Sequence, residues 1–435
     1  MRRLSRNTCA INPKSKKGEK TMNKLLQTSG QMVLSLALML VFIPTALAKE
    51  PIKIGAIVEL TGEAAEMGIE NQHTIEVAES LLNSHGGIGG YPVKIVIFDG
   101  GSDPAMFATK AHRLLGDEKV ICGIGGNDIS FATAAGEVFA KAKTPYADIG
   151  GTTPTIPLIS DFMFMAPGPD NDQGRAVAKY VNEKLGFNTF AIFKDVASAY
   201  GTKLTEYFIY YAKFFTKKDD PVPLVLSYQT GDTDYAAQLT KLKAKAKTLG
   251  IQAIILPTWP QDAPTIAKQA RDLGIDLPLI GTDGVDTTAL TDVGGESVEG
   301  MVFSTHFHPD QPGLPEMARK FVVEYKKKYK EDPGAFGTMG YDALMIMAEA
   351  ISAVINDKGA DWWDKAGLAE KRLAARDALW TVQFKMTTQP FGFTKEGWPR
   401  KGQVWKVVKG GNRDFHDFQT YESFTPAGIN TLPFK

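Results

Sequence analysis

The feature that most constrains the fold is a regular alternation between short apolar segments rich in β-branched residues and longer amphipathic segments. Ile52–Leu60 and Val93–Phe98 are typical of buried strands, and the segment between them carries apolar residues at helical spacing. Strands that alternate with helices in this way predict parallel sheets built from βαβ units. The pattern pauses at residues 166–170 and then restarts, so the sequence predicts an α/β protein with two lobes of similar size.

The N-terminal segment predicts export. An uncharged apolar run, Met32–Ile43, is too short to span a bilayer as a helix, which requires ~20 residues. Lys24 precedes this run, and Ala46-Leu47-Ala48 follows it as a small-x-small cleavage site. Residues 1–48 are therefore predicted to be a signal peptide, with Met22 as the candidate true start of translation. A buried helix or a membrane anchor is the alternative interpretation of the same run.

Cysteine content and net charge fit an exported soluble protein. Cleavage after Ala48 would remove Cys9 and leave Cys122 as the single thiol, so no internal disulfide is predicted. No cysteine follows the apolar run at the cleavage point, which argues against a lipid anchor. The 49 lysines and arginines balance the 49 aspartates and glutamates, and this balance gives no electrostatic reason to expect nucleic acid as a partner. We expect a periplasmic location.

Enzyme motifs are missing from the sequence. None of the six histidines is followed by glutamate, and neither a Walker loop nor a Gly-x-Ser-x-Gly elbow is present. Gly123–Gly126 follows a strand, but Asp128 stands where a dinucleotide loop would carry its third glycine, and its charge would oppose a pyrophosphate. His306 and His308 could form a metal-binding pair, but two histidines alone make a poor site, and solvated loop histidines are the alternative interpretation. We therefore expect no catalytic residues, no cofactor, no metal and no enzymatic activity.

Candidate binding residues follow several predicted strands. Parallel sheets bind ligands in the crevice beyond the carboxyl ends of their strands. The Gly150–Thr153 loop offers backbone N–H groups and hydroxyls that suit a carboxylate, whereas Asp283 could pair with an ammonium. Trp259 stands between prolines after another strand and is interpreted as a wall of the pocket. Ordinary turns are the alternative interpretation of the loops at Gly150 and Asp283.

Six short stretches then carry a family resemblance. They are Lys53-Ile54-Gly55 with Leu60-Thr61-Gly62, Gly86–Gly90, Asp170–Gly174, Tyr200-Gly201, Gln269-Ala270-Arg271 and Gly340–Ala343. In this order they resemble the periplasmic leucine/isoleucine/valine-binding protein family, the type I receptors of branched-chain amino acid ABC importers. The resemblance implies two Rossmann-like lobes joined by a three-segment hinge, closure around a ligand, and docking on an inner-membrane permease with its ATPase.

The resemblance also implies a set of ligand-binding residues. Those that match directly are Met67, Gly150, Gly151, Thr152, Tyr200, Trp259, Asp283 and Tyr341. The family's carboxylate-binding serine falls near Ile129, and a shift of one residue would place it on Ser130. Asp128 flanks the same position, and in the pocket it would repel a carboxylate. Which of these three side chains faces the pocket is left open by the sequence.

Domain boundaries and function complete the expectations. The three hinge segments, here called the crossings because the chain passes from one lobe to the other in them, are placed near Pro167, Thr305 and Ala353. One lobe is then formed by residues 49–167 and 305–353, and the other by residues 168–304 and 354–435. The predicted function is a monomeric periplasmic receptor that captures an amino acid or a related small amine or carboxylate metabolite for an ABC importer. A ligand sensor of the same fold that acts on a regulatory partner is the alternative. The sequence does not name the ligand.

Overall fold

Two β-sheets organise the chain, each covered by helices. The structure, a computed structural model, describes residues 49–387 and 391–425. The predicted signal peptide and Cys9 lie outside these residues. The α/β class with two largely parallel sheets is confirmed.

The first sheet holds five parallel strands in the order β2-β1-β3-β4-β5. They are β1 (Ile52–Val58), β2 (Val93–Asp99), β3 (Cys122–Gly125), β4 (Tyr146–Asp148) and β5 (Met163–Met165). The sequence pattern does not predict β5, because three residues are too few to show a periodicity. Cys122 is buried in β3, where burial raises the pKa of its thiol.

The second sheet holds seven strands in the order β12-β11-β10-β9-β8-β6-β7. They are β6 (Phe190–Asp195), β7 (Leu224–Tyr228), β8 (Ala253–Leu256), β9 (Leu279–Gly281), β10 (Val302–Thr305), β11 (Gln403–Lys409) and β12 (Asn412–Gln419). The five strands from β6 to β10 are parallel, whereas β11 and β12 form an antiparallel hairpin along β10. The hairpin is thus an antiparallel edge on a parallel sheet.

Helices cover the faces of both sheets. They are α1 (Ala65–Ser84), α2 (Pro104–Gly116), α3 (Ile129–Lys141), α4 (Asp170–Glu183), α5 (Ala199–Thr216), α6 (Ala236–Leu249), α7 (Asp262–Asp272), α8 (Thr288–Gly294), α9 (Glu316–Tyr329), α10 (Ala335–Lys358), α11 (Ala360–Lys365) and α12 (Leu368–Leu379). Asp103 and Asp128 cap α2 and α3 by accepting a backbone N–H two residues further along the chain. A short 3₁₀ turn, Asp283–Val285, follows β9.

Helix α10 is the central helix of the first lobe. Within the described residues it is long and apolar enough to cross a membrane, but 83% of its most apolar stretch is buried inside the protein. Leu344 and Ile351 belong to the same apolar core as Ile54 of β1 and Ile75 of α1. A helix that is apolar on all sides is explained here by burial between other elements.

The third crossing does not lie near Ala353, where the sequence analysis placed it. Helix α10 continues through that residue, and the core of the first lobe extends to Trp363, Leu379 and Phe393. The chain enters the second sheet only at Gln403, the first residue of β11. Residues from 354 to about 401 therefore belong to the first lobe, because their apolar side chains pack on its core rather than on the second sheet.

Buried polar contacts tie the three crossings together. The Lys401 ammonium donates to Asp342 Oδ2 of α10 at 2.5 Å and to the carbonyl of Ala166, just after β5, at 3.1 Å. Gln403 Nε2 donates to the carbonyl of Thr305, at the end of β10, at 2.6 Å. The side chains of Lys401 and Asp342 are 3% and 0% exposed, so each charge depends on the other.

Removal of the Lys401 charge is expected to destabilise the fold strongly. Lys401→Met leaves the Asp342 carboxylate buried without its counter-ion, and breaking a buried pair in this way costs about 3–5 kcal/mol. Lys395→Met is the matched control, because its side chain is 90% exposed. Denaturant unfolding followed by circular dichroism measures both free energies. A Lys401→Met variant as stable as the control would contradict the role given to this pair.

Candidate functional site

One cavity of about 390 Å³ collects loops from both lobes. The first lobe contributes the loops after β3 and β4, together with one residue each from α1 and α10. The second lobe contributes the loops after β6, β7, β8 and β9, together with the first residue of α4. The carboxyl ends of parallel strands in two separate sheets therefore meet at one site, as the crevice rule for such sheets predicts.

Seven of the nine predicted site residues line this cavity. They are Met67, Gly150, Gly151, Thr152, Tyr200, Trp259 and Asp283. The structure therefore brings residues from distant parts of the sequence to one place. Whether each of them contacts a ligand remains a prediction.

Tyr341 and Ser130 do not line the cavity. Tyr341 is fully buried in the first-lobe core, where its ring stacks on Phe321 with 4.2 Å between centroids. Ser130 is exposed, and its hydroxyl donates to Asp128 Oδ1 at 2.6 Å. Asp128 and Ile129 line the cavity instead, which answers the question left open by the sequence.

The Asp283 carboxylate is held by two donors from different elements. Its Oδ1 accepts from the Tyr200 hydroxyl at 2.6 Å, and its Oδ2 lies 2.9 Å from His306 Nε2. The residue is only 1% exposed. Burial opposes ionisation, but the hydrogen bond and charge of His306 and the hydrogen bond from Tyr200 outweigh it, so the pKa of Asp283 is lowered. Asp283 is therefore an ionised carboxylate at neutral pH.

The aromatic wall behind Asp283 is fixed by the same contacts. The Tyr200 hydroxyl accepts from the Gly284 N–H at 3.1 Å and also bonds Thr282 Oγ1 at 2.6 Å. The Trp259 ring packs on Tyr200 with 5.4 Å between centroids, and Trp259 Nε1 donates to Ser198 Oγ at 3.1 Å. Two half-buried rings thus face the cavity with their polar atoms already bonded within the second lobe.

The Gly150–Gly151 loop differs from its expected role. The N–H groups of both glycines donate to Asp148 Oδ1, at 3.2 and 2.8 Å, rather than pointing free into the cavity. A Cβ on Gly150 would lie 2.7 Å from Asn127 Oδ1, and one on Gly151 would lie 2.6 Å from Ile156 Cδ1. Glycine is needed here because the loop packs closely on its own lobe, and not in order to offer amides to a ligand.

Asn127 links the cavity to helix α10. Its Nδ2 donates to Glu59 Oε2 at 2.6 Å and to Asn71 Oδ1 at 2.7 Å, and its own N–H donates to Glu59 Oε1 at 2.8 Å. Asn71 Nδ2 in turn donates to the carbonyl of Phe336 at 2.9 Å, and the Phe336 ring lines the cavity. Burial raises the pKa of Glu59, although the hydrogen bonds from Asn127 partly oppose that shift. The network positions the first-lobe wall of the cavity.

Asp170 is a cavity residue that the sequence analysis missed. It is the first residue of α4, is 2% exposed, and its Oδ1 has no hydrogen-bond partner among the described residues. Burial, followed by the negative charge of Asp283, raises the pKa of Asp170 to about 8. Asp170 lies within the Asp170–Gly174 stretch of the family resemblance, but nothing in its local pattern indicates that it turns toward the cavity.

Phe336 and His306 are two further residues that sequence reasoning missed. Phe336 comes from α10, far along the chain from the other first-lobe walls, and His306 follows β10 at the second crossing. The two rings meet edge to face with 5.8 Å between centroids. His308 accepts from the Asp310 N–H, so the two histidines have different partners. In the described ranges, no group of three histidine, cysteine or carboxylate side chains is placed to hold a metal ion.

Known proteins with this arrangement are solute receptors. Residues 51–407 match the model of the family described as "Periplasmic binding protein". The leucine-, isoleucine-, valine-, threonine- and alanine-binding protein of Pseudomonas aeruginosa is 25% identical over 82% of this chain and 89% of its own length. The leucine binding protein of Thermotoga maritima is 28% identical, covers 85% of this chain and 99% of its own, and superposes with a TM-score of 0.71.

The chain belongs to the periplasmic binding protein family. Within it, the predicted resemblance to the leucine/isoleucine/valine-binding proteins is confirmed, since the Leu/Ile/Val-binding protein of Escherichia coli K12 is also 26% identical over 75% of this chain and 86% of its own. Solved structures below 25% identity, among them a benzoate complex from R. palustris, share the fold alone. The chain is a solute-binding protein and not an enzyme.

Substitution of Asp170 is expected to change how stability depends on pH. A carboxyl whose pKa is about 8 in the folded state and ~3.9 in the unfolded chain holds a proton that unfolding releases. Its contribution to stability is therefore full below pH ~4 and is lost as the pH rises toward ~8. The melting temperature of Asp170→Asn minus that of wild type should therefore be more positive at pH 8 than at pH 4.

Thermal unfolding of the ligand-free protein between pH 4 and 8 measures this difference. Asp292→Asn, an exposed site on α8, is the control and should give the wild-type profile. Parallel profiles for wild type and Asp170→Asn would contradict the raised pKa.

Proposed function

We propose that this protein is the exported receptor of an ABC importer and that it captures an amine-bearing small solute by closing its two lobes. The observation that carries the proposal is the ionised, almost fully buried Asp283 carboxylate on the wall of a cavity that both lobes line. The names of the relatives, which include a branched-chain amino acid transporter substrate-binding protein from Streptococcus pneumoniae at 25% identity, support a transport role.

Closure follows from the distribution of the cavity residues. Met67, Thr152 and Phe336 belong to the first lobe, whereas Trp259 and Asp283 belong to the second. A solute that contacts both sets makes more interactions in the closed arrangement than in an open one. Since a ligand shifts an equilibrium only by its differential affinity for the two states, a solute of this kind favours closure.

Asp283 and Trp259 supply the proposed recognition of the amine. A charge-assisted hydrogen bond from an ammonium to the Asp283 carboxylate contributes about 1.5–3 kcal/mol. A cation that faces the Trp259 ring would add about 0.5–2 kcal/mol. The apolar body of the solute would lie against Met67 and Phe336, which are both half-buried in the structure.

Export and partners complete the proposal. The signal peptide predicted for residues 1–48 would deliver the mature chain to the periplasm, where the family operates. The closed receptor would then dock as a monomer on a permease that is coupled to an ATPase.

Neutralisation of Asp283 is expected to weaken solute binding. Asp283→Asn keeps the shape of the side chain and removes its charge, so affinity for an amine-bearing solute should fall by about tenfold to a hundredfold. A thermal-shift screen with L-amino acids, their amides and simple amines identifies solutes that stabilise the wild type, and calorimetry then gives each affinity. Asp292→Asn is the control of equal charge change. A variant that binds as tightly as wild type would reject the role given to Asp283.

Two tyrosine variants distinguish a tyrosine that lines the cavity from one that is buried in the core. Tyr200→Phe removes the hydroxyl that donates to Asp283 and should weaken binding of the same solutes. Tyr341 does not line the cavity, and its buried hydroxyl has no hydrogen-bond partner among the described residues. Tyr341→Phe should therefore leave binding unchanged. Weaker binding by Tyr341→Phe than by Tyr200→Phe in calorimetry would contradict the placement of Tyr341 in the core.

A further inference from the structure

The charges around the cavity have one sign. Three aspartates line it, and no lysine or arginine occurs among the described residues that do so. The three are Asp128, Asp170 and Asp283. Asp170 is largely protonated at neutral pH, so the negative charge of the lining lies on Asp128 and Asp283. The His306 ring stands behind Asp283, and one imidazole balances at most one of these two carboxylates. The electrostatic field of this lining favours a cation and opposes an anion.

Three of the four residues expected to bind a carboxylate already use their donors within the protein, and the fourth, Thr152, lines the cavity. The Gly150 and Gly151 amides donate to Asp148, and the Ser130 hydroxyl and N–H donate to Asp128. The N-terminus of α3, which would otherwise attract an anion, is capped by the Asp128 carboxylate itself. A ligand carboxylate near this helix would therefore meet a like charge in place of a donor.

Among the described residues that line the cavity, the buried side-chain atoms without a hydrogen-bond partner are oxygens. Within the described part of the chain, Asp170 Oδ1 and Asn127 Oδ1 are buried, belong to residues that line the cavity, and lack hydrogen-bond partners. The orientation of the Asn127 amide is fixed, because its nitrogen donates to Glu59 and Asn71. An unpaired buried acceptor is costly, so Asn127 Oδ1 gains most from a ligand that donates a hydrogen bond. Asp170 Oδ1 does so in the state in which its carboxyl has lost the proton.

We propose that the cavity selects a solute with a cationic amine and no free carboxylate, such as an amine or an amino-acid amide, and that Asp128 excludes the zwitterionic amino acid. This inference rests on the proposed function and narrows its ligand class. An amide or amine keeps the ammonium for Asp283 and offers further N–H donors or an uncharged end toward Asp128. A zwitterion places its carboxylate beside Asp128, where the donors are already used.

The first test compares four molecules that share one side chain. They are L-leucine, L-leucinamide, 3-methylbutylamine and 4-methylpentanoate, and the corresponding phenylalanine set matches the aromatic wall. Calorimetry on the full mature chain should show the amide and the amine binding about tenfold or more tightly than the amino acid, with no binding of the acid. Tighter binding of the amino acid or of the acid overturns the proposal.

If neither set binds, a thermal-shift screen of a metabolite collection sorted by net charge decides the question. Stabilisation by cations supports the inference, whereas stabilisation only by zwitterions or anions overturns it and leaves the receptor function intact. Stabilisation by no solute of any charge contradicts the receptor function itself, and the inference fails with it.

The second test examines Asp128 directly. Asp128→Asn retains a residue that caps helices as well as aspartate does, so α3 should be preserved. Loss of the charge should reduce the preference for the amide over the amino acid by roughly fivefold or more. Asp103→Asn makes the same exchange at the exposed N-cap of α2 and should leave that preference unchanged. An unchanged preference in Asp128→Asn, with the variant folded, overturns the assignment.

Discussion

The site depends on one desolvated charge, the carboxylate of Asp283. A buried carboxylate stays ionised only if donors replace the water that it has lost. Tyr200, from the start of α5, and His306, from the second crossing, supply those donors. Because the two come from different elements, the charge fixes the position of the aromatic wall relative to the hinge. Removal of either donor would loosen both the binding residue and its surroundings.

The same carboxylate determines the state of its neighbour. Asp170 is buried close enough to Asp283 for like-charge repulsion to contribute to its raised pKa, and its Oδ1 has no partner among the described residues. Two like charges close together in a buried site are costly, so Asp170 keeps its proton at neutral pH, and a nearby cation would favour its ionised form. The electrostatics of the cavity therefore favour a ligand that carries positive charge.

The sequence predicts the parts of the fold that depend on local pattern. Strands such as Ile52–Val58 and the order of the helices follow from apolar periodicity, and the carboxyl-end loops identify Trp259 and Asp283. Contacts that join distant segments leave no such trace. The third crossing is misplaced because the sequence of α10 does not indicate which lobe the segment after it packs against. Tyr341 is misplaced because a tyrosine in a buried helix shows the same sequence spacing as one that lines a pocket. The glycines after β4 are correctly placed at the cavity. The reason that glycine is required there, which is close packing on Asn127 and hydrogen bonding to Asp148, depends on contacts that only the folded structure shows.

The hairpin of β11 and β12 has a consequence for the order in which the protein is assembled. The edge of the second sheet is built from Gln403–Gln419, where Trp405 stacks on Tyr180 with 3.8 Å between centroids and Lys406 pairs with the buried Asp286 at 2.7 Å. A chain that emerges N-terminus first presents β6 to β10 long before this hairpin exists. The second lobe therefore lacks its edge and a buried counter-ion until almost the whole polypeptide is available. Folding of the second lobe is therefore expected to finish only after most of the chain has been synthesised.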